Sequence, residues 1–392
     1  MNTPALSLRK IGEYLFLIGM FAKQFYLFHS GSLQIGDICM ILGAITLFAN
    51  FRLRLFKTDL PLYLFLLCVI LINCIYSLMQ AHTAYLLYTS YYLFNAFVIL
   101  GLRPVIQDTS FLKKMAWVLK IGLICQTLIW LTGMGTMYGS ERYMSTFNDP
   151  NQFAFFVFSS YLLLILLAEI LDNFKFFWCW TALTLLLIIQ SSSTGMLMGV
   201  FLCMALRMIS QIFRRQKRFK LFPIIAIMGG FVLASNIFLF GITLPHKLEG
   251  ISILDRVEQK INKFSGQGSE RNGLDAFLTD RNLHKVFTFP YYMLFGSGEG
   301  EYERFLRSSD VGEIHSTFLS MLFYYGIIPF SLLLAWIFSQ LRGIRFEIWA
   351  IYIAIFLESF TLLNQRQPFF WLLIILASHP TLKTLTTTKE YL

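Results

Sequence analysis

A chain of 392 residues that is 56% hydrophobic and 14% charged, with a mean hydropathy of +0.63, cannot hide its apolar surface as a soluble domain. Its formal charge of +10 sits in short loops between apolar runs, not in a basic stripe interleaved with aromatics, which excludes nucleic acid as a partner. The fold class read from this is all-α: a polytopic membrane protein whose residues 1–392 form a single membrane domain. The cysteines (Cys39, Cys68, Cys74, Cys125, Cys179 and Cys203) all lie in apolar runs, so neither a disulfide framework nor a CxxC metal pair is expected.

A spanning helix needs about 20 mostly apolar residues. In chain order, twelve runs are candidates: 12–29, 33–51, 61–80, 85–101, 115–133, 151–170, 174–190, 193–210, 221–241, 315–340, 346–363 and 367–379. The first follows Arg9 and Lys10 without a small-residue cleavage site, and reads as a retained helix, not a signal peptide. Runs seven and eight are separated only by Ser191-Ser192-Ser193-Thr194-Gly195, so eleven spans is the alternative count.

Placing the N-terminus in the cytoplasm puts nineteen lysines and arginines in the inside segments, against Arg142 and Arg366 in the short outside loops. That bias makes both termini cytoplasmic. It sends 135–150 to the outer face, together with one polar island over 243–313, a large extracytoplasmic loop between spans nine and ten. Within the island, Ile251, Leu254, Val257 and Ile261 have the spacing of an amphipathic helix over 250–264. A second helix is expected over 274–286.

The polar residues of the outer face carry the possible chemistry. His315, in Glu313-Ile314-His315-Ser316, stands where the island meets the next apolar run. A histidine titrates near neutrality and can take a proton from a hydroxyl; the plainer reading is an interfacial side chain satisfied by water or a headgroup. Arg142 lies in the 135–150 loop, and Arg256, Arg271, Arg281, Arg304 and Arg307 lie in the island. Guanidiniums bind phosphate bidentately, although any one of them alone reads as a solvated loop charge. Asp149 must be extended before Pro150, and Asn148 or Asn151 is expected to cap the following helix. Gly296-Ser297-Gly298-Glu299-Gly300 reads as a hinge or tight reversal.

Charges inside the runs are Lys23, Lys120, Glu169 and Glu358. Lys120 and Glu169 are placed near interfaces. Lys23 and Glu358 lie deeper and call for a buried pair or a substrate cavity. The chain shows no nucleotide-binding, zinc-protease or serine-nucleophile motif, so energy for a reaction must arrive with the substrate.

Three stretches, in order, resemble the O-antigen polymerase and O-antigen ligase superfamily. His315-Ser316 followed by Gly326-Ile327-Ile328-Pro329 resembles its histidine motif and the glycine turn after it. Arg142-Tyr143-Met144-Ser145-Thr146-Phe147-Asn148-Asp149-Pro150-Asn151 resembles its Arg…Gly-Thr-Phe…Pro-Asn segment. Ser265-Gly266-Gln267-Gly268-Ser269-Glu270-Arg271, with Leu294-Phe295-Gly296-Ser297-Gly298 later, resembles its large periplasmic loop.

The resemblance implies a metal-independent inverting glycosyltransferase of the GT-C type in a bacterial cytoplasmic membrane, needing no cofactor. Its donor would be a glycan on undecaprenyl pyrophosphate. His315 would be the base, and Arg142 with Arg271, or Arg281 in its place, would hold the pyrophosphate. Glu313, Asn151 and Ser316 would be supporting residues. Further partners implied are membrane lipid and a chain-length regulator. The ligases carry an arginine in the turn before the eighth span, where this chain has Ser193-Thr194-Gly195. The second motif glycine is also absent, with Pro329 near its place. The first departure favours a repeat-unit polymerase over a ligase; a lipid-linked oligosaccharide flippase is the reading of another class.

Overall fold

The computed structural model describes residues 7–28, 33–51, 55–139, 142–213, 278–279, 281–302, 304–305 and 312–384. The run 221–241, the expected helix over 250–264, most of the 243–313 island, and Arg256, Arg271 and Arg307 lie outside the described residues.

The described chain is mostly helical. Its first helices are α1 (Leu8–Ala22), α2 (Ile35–Asn50), α3 (Leu60–Gln80), α4 (Ala84–Leu102) and α5 (Thr109–Leu131). A two-stranded antiparallel hairpin, β1 (Thr136–Tyr138) and β2 (Arg142–Ser145), departs from the all-α expectation. Then come α6 (Pro150–Leu171), α7 (Phe177–Gln190) and α8 (Thr194–Phe213). Past the undescribed stretch stand two short turns of helix, α9 (Lys285–Thr288) and α10 (Tyr292–Phe295). The chain continues through α11 (Thr317–Tyr325), α12 (Ile327–Leu341), α13 (Phe346–Ser359) and α14 (Pro368–Leu376).

Among the described residues four stretches are long and apolar enough to cross a membrane: Lys57–Gln80, Ala84–Leu102, Thr109–Leu131 and Pro150–Leu171. Shorter apolar helices are Ile35–Asn50, Phe177–Gln190, Thr194–Ser210 and Ile327–Leu341. α13 and α14, with 14 and 9 residues, are shorter than the runs expected there. At 1.5 Å per residue neither reaches across a hydrocarbon core of about 30 Å. α6 is buried on every side, as a helix apolar all round must be when it stands at the centre of a bundle.

Helix contacts rely on small residues, as they must where lipid offers no hydrophobic drive between helices. α1 and α2 run antiparallel so closely that a Cβ on Gly19 would fall 2.5 Å from the Met40 nitrogen. The turn between α7 and α8 is a true break, with Ser192 at φ +54°.

Several expectations need correction. The run 315–340 is two helices, not one, because Gly326 adopts φ +81° between α11 and α12. A Cβ there would lie 2.6 Å from the Leu294 carbonyl oxygen, so the residue must be glycine where the loop packs against the break. Of the expected helix over 274–286, Leu278 and Thr279 are helical, but Asn282 turns the chain at φ +53° and a separate helix, α9, begins at Lys285. The cap of α6 is Asp149, whose Oδ1 accepts from the amides of Asn151 (2.7 Å) and Gln152 (3.3 Å), not Asn148 or Asn151. Asp149 is extended, as Pro150 requires.

The stretch Gly296–Gly300 is not an exposed hinge but a buried strap. The amides of Ser297 and Gly298 donate to the carbonyls of Phe323 (3.1 Å) and Tyr324 (2.8 Å). These are last-turn carbonyls of α11 that lose their helical partners at the break, and inside a bilayer they must be satisfied by protein.

The deep charges also resolve. Lys23 pairs with Asp37 at 2.7 Å across the α1–α2 turn, not with Glu358. Glu358 instead accepts from the Asn364 amide. Glu169 bridges Arg207 (2.6 Å) and Arg345 (2.9 Å) near the end of α6. Lys120 is halfway along α5, with its Nζ over the ring of Trp180 in the first turn of α7.

Candidate functional site

His315 stands just ahead of α11 with its side chain exposed between buried Ile314 and buried Ser316. Local sequence explains this. Ser316 is extended and caps α11, its hydroxyl accepting from the Leu319 amide at 3.4 Å. Ile314 is fully buried, so the intervening side chain points the other way. Thr317 pins the segment to the turn after α13, its amide and hydroxyl both reaching the Leu362 carbonyl at 2.9 and 2.7 Å.

Arg281 approaches from the far end of the island. Its carbonyl accepts the His315 amide at 2.9 Å, and its guanidinium donates to the Thr361 carbonyl. Arg142, on β2, donates through Nε to the Ser191 carbonyl (3.1 Å) and through Nη2 to Asn151 Oδ1 (2.9 Å). The hairpin arginine thus reaches the α7–α8 turn. That turn is itself beside Thr361, since a Cβ on Gly195 would lie 3.7 Å from the Thr361 hydroxyl. His315 in turn feels the Asp149 carboxylate that caps α6.

These contacts link Asn151, Arg142, the Ser191 turn, Thr361, Arg281 and His315, and the Asp149 carboxylate of the α6 cap is near enough to act on the histidine electrostatically. Four segments far apart in the chain meet here: the hairpin, the α7–α8 turn, the tail of the island, and the α13–α14 turn. Of the residues singled out from sequence, His315, Arg142, Arg281, Glu313, Asn151 and Ser316 gather at this end of the bundle. Arg271 lies outside the described residues.

The electrostatics separate the roles. Close packing lowers the His315 pKa below the ordinary histidine value; Arg281 and Arg366 push it further down, while Glu313 and Asp149 oppose them. The imidazole is therefore neutral, and able to accept a proton, at neutral pH. Burial pushes the Glu313 carboxyl up, but the Arg366 guanidinium, with hydrogen bonds from Tyr88 and Arg366 and the nearby His315, holds it below the ordinary glutamate value. Glu313 is thus an anion, and balances the cations around the histidine.

Arg366 is the residue that sequence reading passed over, having counted it only toward orientation. It bridges Glu299 at 2.7 Å and Glu313 at 2.8 Å and stacks over the Tyr88 ring at 4.6 Å. Glu299 is wholly buried and also accepts from Tyr92 and Tyr325, each at 2.9 Å. Its amide donates to Asn73 at 2.9 Å. Arg366 therefore holds the island's tail against α3, α4 and α11, and its own charge is neutralised. The available signal was an arginine between two glutamines ahead of a proline, Gln365-Arg366-Gln367-Pro368, in a short outer loop.

Among the described residues no group of three or more His, Cys, Asp or Glu is placed to hold a metal. No family model matches the chain, and no curated protein matches it significantly.

Proposed function

We propose that the chain is a polysaccharide repeat-unit polymerase of a bacterial cytoplasmic membrane, transferring a growing glycan from undecaprenyl pyrophosphate to a hydroxyl of a lipid-linked acceptor. The observation that supports it best is the run of contacts that brings neutral, exposed His315 together with Arg281 and the hairpin bearing Arg142. In this reading His315 takes the proton of the acceptor hydroxyl as its oxygen attacks the anomeric carbon. The bond from that carbon to the pyrophosphate oxygen breaks with inversion. Arg142 and Arg281 offset the charge gathering on the leaving group. Arg366 positions the loop and touches no substrate. The ligase reading shares this chemistry and differs only in acceptor; a knockout that leaves long unattached polymer supports the ligase, and loss of polymer supports the polymerase.

Two observations favour the reading of another class. The helix break at Gly326 and the buried ion pair Lys23–Asp37 are features expected of a transporter for lipid-linked sugar. The experiment that tests the proposal is His315→Ala in cells. Single lipid-linked repeats should accumulate and long chains vanish. A normal chain-length ladder from a well-expressed variant removes His315 from the mechanism.

A further inference from the structure

A cleft lies away from this site, between α5, α6 and α7, on the face that carries the basic loops. It has a volume of about 180 Å³ and is lined by Lys113, Lys120, Lys175, Asn173, Trp117 and Trp180 among apolar residues of α6. Every charged side chain in its wall is a lysine, and none of the three is ion-paired among the described residues.

Lys120 is the notable member. It sits halfway along α5, about 17 Å from the helix start at 1.5 Å per residue. Its neighbours in the cleft are the loop after α6 and the first turn of α7. Helical side chains lean toward their N-terminus, so Lys120 leans toward Lys113 and the basic face. Its Nζ lies between the rings of Trp117 (5.6 Å) and Trp180 (5.7 Å). The indole nitrogen of Trp180 is buried and has no hydrogen-bond acceptor. The cleft wall thus carries three lysines, an asparagine and two tryptophans and no acidic residue, above leucine, isoleucine and phenylalanine.

We infer that this cleft binds the phosphate of an anionic glycerophospholipid of the adjacent leaflet, with an acyl chain lying along α6. Charge complementarity selects the headgroup, and the apolar wall of α6, which accepts an acyl chain, selects a lipid over a soluble phosphate. The inference requires only that the helices stand in a bilayer. It does not depend on the transfer reaction, so either can fail without the other.

The test is native mass spectrometry of the full chain released from detergent, titrated with phosphatidylglycerol or phosphatidylcholine. The expected result is selective retention of phosphatidylglycerol. Retention should fall at least tenfold in Lys113→Gln/Lys120→Gln/Lys175→Gln and severalfold in Trp180→Phe. It should be unchanged in Lys10→Gln/Lys57→Gln/Arg342→Gln, which removes equal charge elsewhere on the same face. Inorganic phosphate at equal concentration should not compete. Equal retention of the two lipids, equal loss in both triple variants, or displacement by inorganic phosphate would each overturn the assignment. Trp180→Phe keeps the packing nearly intact, so it reads the site even if the triple variant expresses poorly.

Discussion

The amide of His315 donates to the carbonyl of Arg281 at 2.9 Å, so the histidine and an arginine 34 positions earlier are held by one backbone bond. Residue spacing in the island gives no hint of this, because the intervening chain folds back through α9, α10 and the buried strap before returning. The bond makes the proposed base and a proposed phosphate ligand move together.

From the His315 environment follows a pH profile. The pKa is lowered, so the neutral base persists to more acid conditions than for an ordinary histidine of about 6.5. Protonation removes the base, so the rate of transfer should fall as pH drops, with a midpoint below 6.5. Removing the larger opposing carboxylate with Glu313→Gln leaves only Asp149 against Arg281 and Arg366 and should move that midpoint lower still. Single-turnover rates between pH 4.5 and 8 check both. A midpoint above 7 would contradict the assigned environment.

Arg142 and Arg281 should matter to the chemical step more than to folding. Replacing either with lysine keeps a charge but loses the planar fork, and should lower kcat by roughly 10²-fold. The thermal unfolding midpoint should move by only a few degrees. Rates on lipid-linked repeats, beside melting curves of the same preparations, separate the two effects.

Much of the frame was legible because it rests on hydropathy and proline rules. The apolar runs behind α3, α4, α6 and α12 are found from composition, and the extended Asp149 follows from Pro150 alone. The break at Gly326 was not legible as a break, since Ile327 and Ile328 keep the run apolar. What fixes it is the Leu294 carbonyl against the glycine and two amides from the strap, contacts far away in the chain. Glu299 was hidden for the same reason. In sequence it is one of several acids beside glycines, and only burial among Asn73, Tyr92, Tyr325 and Arg366 marks it out. Asp37 was also missed as the partner of Lys23, because the pair forms only when α1 and α2 close into a hairpin.

Arg366 should behave as a structural residue. Arg366→Ala leaves Glu299 buried with two tyrosine hydroxyls and no cation, and should cost about 3–5 kcal/mol. Arg366→Lys cannot span two carboxylates with a planar fork and should recover only part of that. Thermal unfolding of a fluorescent fusion in detergent reads the difference. Full stability in Arg366→Ala would show that the strap is held by something else.

The central claim is that His315 takes the acceptor proton in a glycosyl transfer. The most direct measurement is an assay of the purified chain in lipid with undecaprenyl-pyrophosphate-linked repeats and no added metal. The wild type should form new glycosidic bonds and release undecaprenyl pyrophosphate, and His315→Ala should slow this by about 10²–10⁴-fold. A wild type that moves the lipid-linked repeat across the bilayer but forms no glycosidic bond, or a His315→Ala variant as fast as wild type, would contradict it.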